Sequence, residues 1–172
     1  MSQPAGPGQD LRPATPAAAV LVGVDGSDAS RAALMLAARE ARYRDAPLIA
    51  VQAYSGERML GAPAAQPAAA LHGAQDDRAQ DDRAQDERMH AESSLRDAVR
   101  DVLGDDAVRV EVHAVLGLAG RKIVETAHKV NAQLIVLATQ GTASLLLGTV
   151  SQYVLRKAPC PVLIVPAHPA RL

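Results

Sequence analysis

The sequence predicts an α/β fold, a single doubly wound domain with a five-stranded parallel sheet and helices on both faces. Three observations carry this. Five short apolar runs alternate along the chain with segments of helical period. Most of those runs are apolar without alternation, the pattern of strands covered on both sides. Strands separated by helices pair in parallel through right-handed crossovers, so the alternation dictates the winding.

Residues 1–17 hold Pro4, Pro7, Pro13 and Pro16 with Gly6 and Gly8 and little to bury, and are expected to form a disordered N-terminal tail. The domain is read as 18–168. Its first strand is AVLVGV (19–24), after which Ser27 or Asp28 is placed to cap a helix whose Leu34, Ala37, Ala38 and Ala41 recur at helical spacing. PLIAVQAY (47–54) is the second strand.

Residues 55–88 read as an extended polar insertion carrying a tandem repeat, QDDRA at 75 and again at 80, then QDER. A five-residue period advances about 140° per repeat on a helix, so no single apolar face forms. The repeat is expected to be a solvated helical extension or disordered. Arg78 and Arg83 precede Asp82 and Glu87 by four residues, the weaker orientation, worth at most a few tenths of a kcal/mol per pair. A surface insertion tolerated at low cost accounts for the repeat more simply than a binding element does.

Leu95, Ala98, Val99 and Val102 do make a stripe, so packing is expected to begin near Met89. VRVEVHAV (108–115) alternates strictly and reads as a half-exposed strand. After Gly117 and Gly120 comes a helix with the stripe Ile123, Val124, Ala127 and Val130, then the strand LIVLA (134–138), a helix from about Thr149 to Lys157, and the strand VLIV (162–165).

At 172 residues the chain suits one domain that buries about 70% of its unfolded surface. Eighteen Lys and Arg against 19 Asp and Glu give a net charge of -1 and no general attraction to nucleic acid or to an anionic membrane. With three Tyr and no Phe or Trp, stacking platforms for bases are nearly absent. No apolar run approaches the ~20 residues of a spanning helix, and the start MSQPAGPGQDLRPATP has no signal-peptide pattern, so a cytoplasmic location is expected.

The lone Cys160, between Pro159 and Pro161, reads as an inert packed thiol. His72, His90, His113, His128 and His168 show no metal-ligand spacing, so no protein metal site is expected. No nucleophile stands at recognisable spacing from a base, so no catalytic residue is assigned. The stretch DGSDAS is similar to the S-G-G-x-D-S loop of pyrophosphatase-type ATP enzymes but lacks its glycines.

The order VLVGVDGSDASRAAL, then GLAGRKIVETAHKVNAQLIVLATQGTASLLLGTVSQYVLRKAPCPVLIVP, resembles the universal stress protein (UspA-like) family over nearly all of 18–166. The likeness rests on an Asp closing the first strand before Gly-Ser, a Gly-led helix before the fourth strand, and G-T-V-S-x-Y-V followed by A-P-C-P-V-L-I-V-P. It implies an adenine-nucleotide alpha-hydrolase-like, Rossmann-like fold and a nucleotide-responsive module in stress response. Members that hold ATP carry Gly, two residues, Gly, nine residues, Gly, then Ser or Thr. Here Ala138 fills the first position, Gly141 the second, only the six residues TASLLL follow, and Gly148 with Thr149 match the end.

Doubly wound sheets bind ligands outside the carboxyl ends of their strands where the winding reverses, which points to Asp25, Ala53 and the loop before Gly148. The candidate nucleotide-binding residues are Val24, Asp25, Ala53, Gly141, Gly148, Thr149, Val150 and Ser151. Amides after Gly148, with the hydroxyls of Thr149 and Ser151, suit an anion at the positive end of a helix. The bland alternative is a tight turn in which Thr149 or Ser151 caps the helix and Asp25 serves the turn D-G-S-D. The shortened loop suits ADP, AMP or a cyclic nucleotide better than a fully wrapped ATP, with a divalent cation accompanying the phosphates. An adenine nucleotide is thus the expected cofactor, and a second copy pairing through Val162–Val165 the expected partner. The rival readings are a dimeric scaffold of the same fold that binds no nucleotide, and a slow ATPase.

Overall fold

The computed structural model describes residues 18–54, 75–139 and 147–166. The expected tail at 1–17 and the first part of the polar insertion, 55–74, lie outside the described residues.

Each strand is short and rich in aliphatic residues, and each of the first four is followed by a helix that has an apolar stripe, so burial demands layers. The elements are β1 (Val20–Gly23), α1 (Asp28–Tyr43), β2 (Leu48–Tyr54), α2 (Gln75–Leu103), a 3-10 helix (Gly104–Arg109), β3 (Val110–Leu116), α3 (Ala119–Lys129), β4 (Leu134–Thr139), α4 (Thr149–Lys157) and β5 (Val162–Pro166). The strands form one parallel sheet in the order β3-β2-β1-β4-β5. Because β1 has β2 on one side and β4 on the other, the winding reverses beside β1.

Residue parity sorts the core into two layers. Val20 and Val22 of β1 face α1 and α2, meeting Leu34, Ala37, Ala41, Leu95 and Val99. Leu21 faces the opposite way with Ile49 and Ile135, meeting Ile123, Val124 and Ala127 of α3 and Val154 of α4. Helices therefore cover both faces, and of the stripes expected from spacing Leu34, Ala37, Ala38, Ala41, Leu95, Val99, Ile123, Val124 and Ala127 are buried, while Ala98, Val102 and Val130 are half-buried.

One boundary differs from the sequence reading. The third strand was expected to alternate from Val108, but Gly104–Arg109 is a 3-10 helix and β3 begins at Val110, because the Gly104-Asp105-Asp106 turn at φ +56 first has to reverse the chain. As an edge strand β3 stays half-exposed, with Glu111 accepting from the His113 ring at 2.6 Å on its open face. Packing of α2 does begin near Met89, as expected: Met89 itself is 60% exposed, and among the described side chains of α2 burial starts at Ala91. The helix nevertheless runs unbroken from Gln75, so the QDDRA repeat lies on helical backbone.

Candidate functional site

The site grows out of the strand-to-helix turn after β1. Val24 N–H donates to the Val51 carbonyl at 2.9 Å, which holds the chain in the sheet one residue past the strand. Gly26 then takes φ +80, a left-handed conformation that residues with a Cβ avoid. The turn is closed by side chains: Asp25 Oδ1 accepts from Ser27 N–H at 3.0 Å and from Ser27 Oγ at 2.6 Å. Ser27 is the N-cap of α1, its Oγ accepting from Ser30 N–H at 3.2 Å, and buried Ser30 donates its hydroxyl to the Ser27 carbonyl at 2.8 Å. Asp25 thus has the turn role, and that role fixes its carboxylate at the carboxyl end of β1.

A cleft of about 130 Å³ opens there, lined by Val24, Asp25, Ser30, Ala53, Val150 and Ser151. Gly23, Val51, Ala119, Ile123, Leu137 and Ala138 complete its walls. Five residues singled out from the sequence, Val24, Asp25, Ala53, Val150 and Ser151, therefore meet at one place, the winding reversal beside β1. Gly148 and Thr149 sit exposed at the start of α4 and are not in the walls, and Gly141 lies outside the described residues. Ser30, Ala119, Ile123 and Leu137 were not read as site residues. Their signal was available in part, since Ile123 opens the stripe of α3 and Leu137 closes the apolar run of β4, but spacing says which residues are buried and not which border a gap.

Sequence spacing offered Thr149 or Ser151 as the cap of α4. The structure corrects this: Gly148 is the N-cap, with φ -61 and ψ 164, and no side chain caps the helix. A Cβ at Gly148 would have nothing within 4 Å, so its small size is not demanded by packing. The amides of the first turn have no partner inside a helix and carry the positive end of its dipole, next to the cleft wall that Val150 and Ser151 form.

Nearby charge is organised on α3. Glu125 accepts from Lys122 Nζ at 2.8 Å and from Arg121 Nε at 2.9 Å, and the hydrogen bonds of Lys122 and then Arg121 hold its carboxyl below the ordinary value. Half-buried Cys160 lies under the second layer, where burial pushes its thiol up, away from the reactive thiolate. Among the described residues no group of three or more His, Cys, Asp or Glu side chains is placed to hold a metal ion, and no helix is long and apolar enough to cross a membrane.

Comparison with known proteins agrees with this geometry. The family model described as the universal stress protein family matches residues 18–166. A universal stress protein of Methanocaldococcus jannaschii is 28% identical over 149 residues, covering 85% of this chain and 80% of that one. Among solved structures, the universal stress protein UspA from Lactobacillus plantarum superposes with a TM-score of 0.60 at 26% identity, over 86% of this chain and 97% of the other. A universal stress protein in complex with cAMP superposes with a TM-score of 0.59 at 26% identity, over 90% of this chain and 100% of the other.

Proposed function

This chain belongs to the universal stress protein family, and from that premise we propose that it is an adenine-nucleotide-binding regulatory module of the cytoplasmic stress response, with little or no catalysis. The observation that carries the reading is the convergence of Val24, Asp25, Ala53, Val150 and Ser151 on one cleft at the winding reversal. A similar protein was solved holding cAMP, a compact adenine nucleotide.

The residues fit such a ligand in distinct ways. Ala53, at the end of β2, offers backbone donor and acceptor to a base edge, while Val24 and Val150 give apolar walls. Asp25 accepts hydrogen bonds from a ribose hydroxyl, and the uncapped start of α4 at Gly148 and Thr149 takes the phosphate. The walls enclose about 130 Å³, less than the 300–1,000 Å³ of most small-molecule sites. A monophosphate or cyclic nucleotide, partly outside the walls, suits this volume and the six-residue spacing from Gly141 to Gly148 better than ATP does.

Calorimetry with cAMP, AMP and ATP tests the reading. Saturable binding that weakens at least tenfold in Asp25→Ala, with folding intact, supports it, and no saturation by any of the three overturns it. Binding of ATP more tightly than of AMP or cAMP would refute the preference for a compact ligand. We also assign a second copy to the β5 edge: Val162–Val165 is half-buried, and among the described residues β5 pairs only with β4, leaving one row of backbone groups for another chain. Light scattering that returns a monomer at micromolar concentration removes that part.

A further inference from the structure

At the opposite end of the sheet, beside the amino ends of β2 and β3, lies a second cavity of about 300 Å³. Its floor is apolar, made by Ala41, Leu48, Leu103 and Val110. Four charged side chains border it. Arg42 and Asp106 neutralise each other at 2.9 Å, tying the end of α1 to the 3-10 helix. The other two, Asp45 and Arg109, have no hydrogen-bond or ion-pair partner for their side chains among the described residues.

Asp45 carries its charge at the end of the helix that disfavours it. It takes φ +49 just past α1, where its N–H donates to the Arg42 carbonyl at 3.3 Å and the Ala46 N–H donates to the Ala41 carbonyl at 2.9 Å. Gly or Asn usually fills such a position, and the matching one after α3 is Asn131, also at φ +49. A carboxylate there also faces the negative end of the helix dipole, which favours cations. The dipole, not the left-handed backbone, argues against Asp, and an ammonium group in the cavity that Asp45 borders would offset its charge.

We propose that this cavity binds a free apolar α-amino acid of about leucine size, its ammonium at Asp45, its carboxylate at Arg109 and its side chain on the Leu48, Leu103 and Val110 floor. The volume of about 300 Å³ is about ten times what a water molecule occupies in the liquid, room for such a molecule together with several waters. One unpaired cation, one unpaired anion and an apolar floor are the complement of a zwitterion with an aliphatic body. A simple fatty acid would leave Asp45 opposed to its own charge, and an alkylamine would leave Arg109 unused.

Calorimetry of the full chain with L-leucine, 4-methylpentanoate and 3-methylbutylamine tests this, the latter two lacking the amine and the carboxylate respectively. Leucine is expected to bind about tenfold or more tighter than either fragment. Asp45→Asn, which suits the same backbone, is expected to leave the protein as stable as the parent or more so, while reducing leucine affinity about tenfold. Arg109→Gln is expected to reduce it similarly. No saturation by leucine at about 10 mM, equal binding of 4-methylpentanoate and leucine, or an Asp45→Asn variant that folds and binds like the parent would each overturn the proposal.

Discussion

Gly23→Ala tests how the first strand, α3 and the cleft are fitted together. Gly23 ends β1 beneath α3, and a Cβ built there would stand 2.7 Å from Leu137 Cδ2 and 3.2 Å from Ile123 Cδ1. Carbon atoms attract best at about 3.5–4.0 Å, so the shorter contact lies roughly 0.8 Å inside that range. Leu137 and Ile123 are themselves buried, so the open space left for either tip to relieve the clash is the cleft that both line. Overpacking of this kind costs about 1–3 kcal/mol. About 2 kcal/mol corresponds to a fall in melting temperature of about 4–8 °C for a domain of this size. Urea and thermal unfolding followed by far-ultraviolet circular dichroism measures the loss, and a variant within about 0.3 kcal/mol of the parent would refute the packing argument. Because Gly23, Ile123 and Leu137 all line the cleft, the same methyl is expected to weaken nucleotide binding. Gly148→Ala is the companion: a Cβ there meets nothing, so its stability cost stays below about 1 kcal/mol.

Three further outcomes follow from the same packing and hydrogen bonds. Leu95→Ala removes the fully buried anchor that seats α2 on the sheet and should cost about 2–5 kcal/mol in chemical denaturation. Ser27→Ala removes both the cap of α1 and the hydroxyl that donates to Asp25, with an expected loss of about 1 kcal/mol and a weaker response to nucleotide in thermal-shift titration. Glu125→Gln breaks the bonds to Lys122 and Arg121. Since the folded carboxyl titrates below its unfolded value of 4.5, its contribution is present above that value and disappears as pH falls through the folded one. Urea titrations should show the variant less stable than the parent at neutral pH and equal to it in acid.

The architecture was legible because burial leaves a periodic mark. The stripe Ile123, Val124 and Ala127 and the uninterrupted run Leu134–Leu137 each announce their element without reference to any other, and both are buried as expected. Ser27 was legible as a cap for the same local reason: the residue that satisfies Ser30 N–H is three positions away in the chain. Less visible were features that depend on two distant segments. Met89 has the composition of a packed residue, yet it is 60% exposed. The cap of α4 fell to Gly148 rather than to a hydroxyl because the direction of chain entry, not residue type, decides which group reaches the first amides.

What the sequence by itself determined was the alternation of strand and helix, the two apolar layers, and the acidic turn that follows the first strand, because each is written within a few consecutive residues. Only the tertiary structure decided that Asp25, Ala53 and Ser151 share one cleft while Asp45 and Arg109 border a cavity at the far end. Those meetings depend on strand order and register, which arise when the whole sheet closes and which no local period encodes.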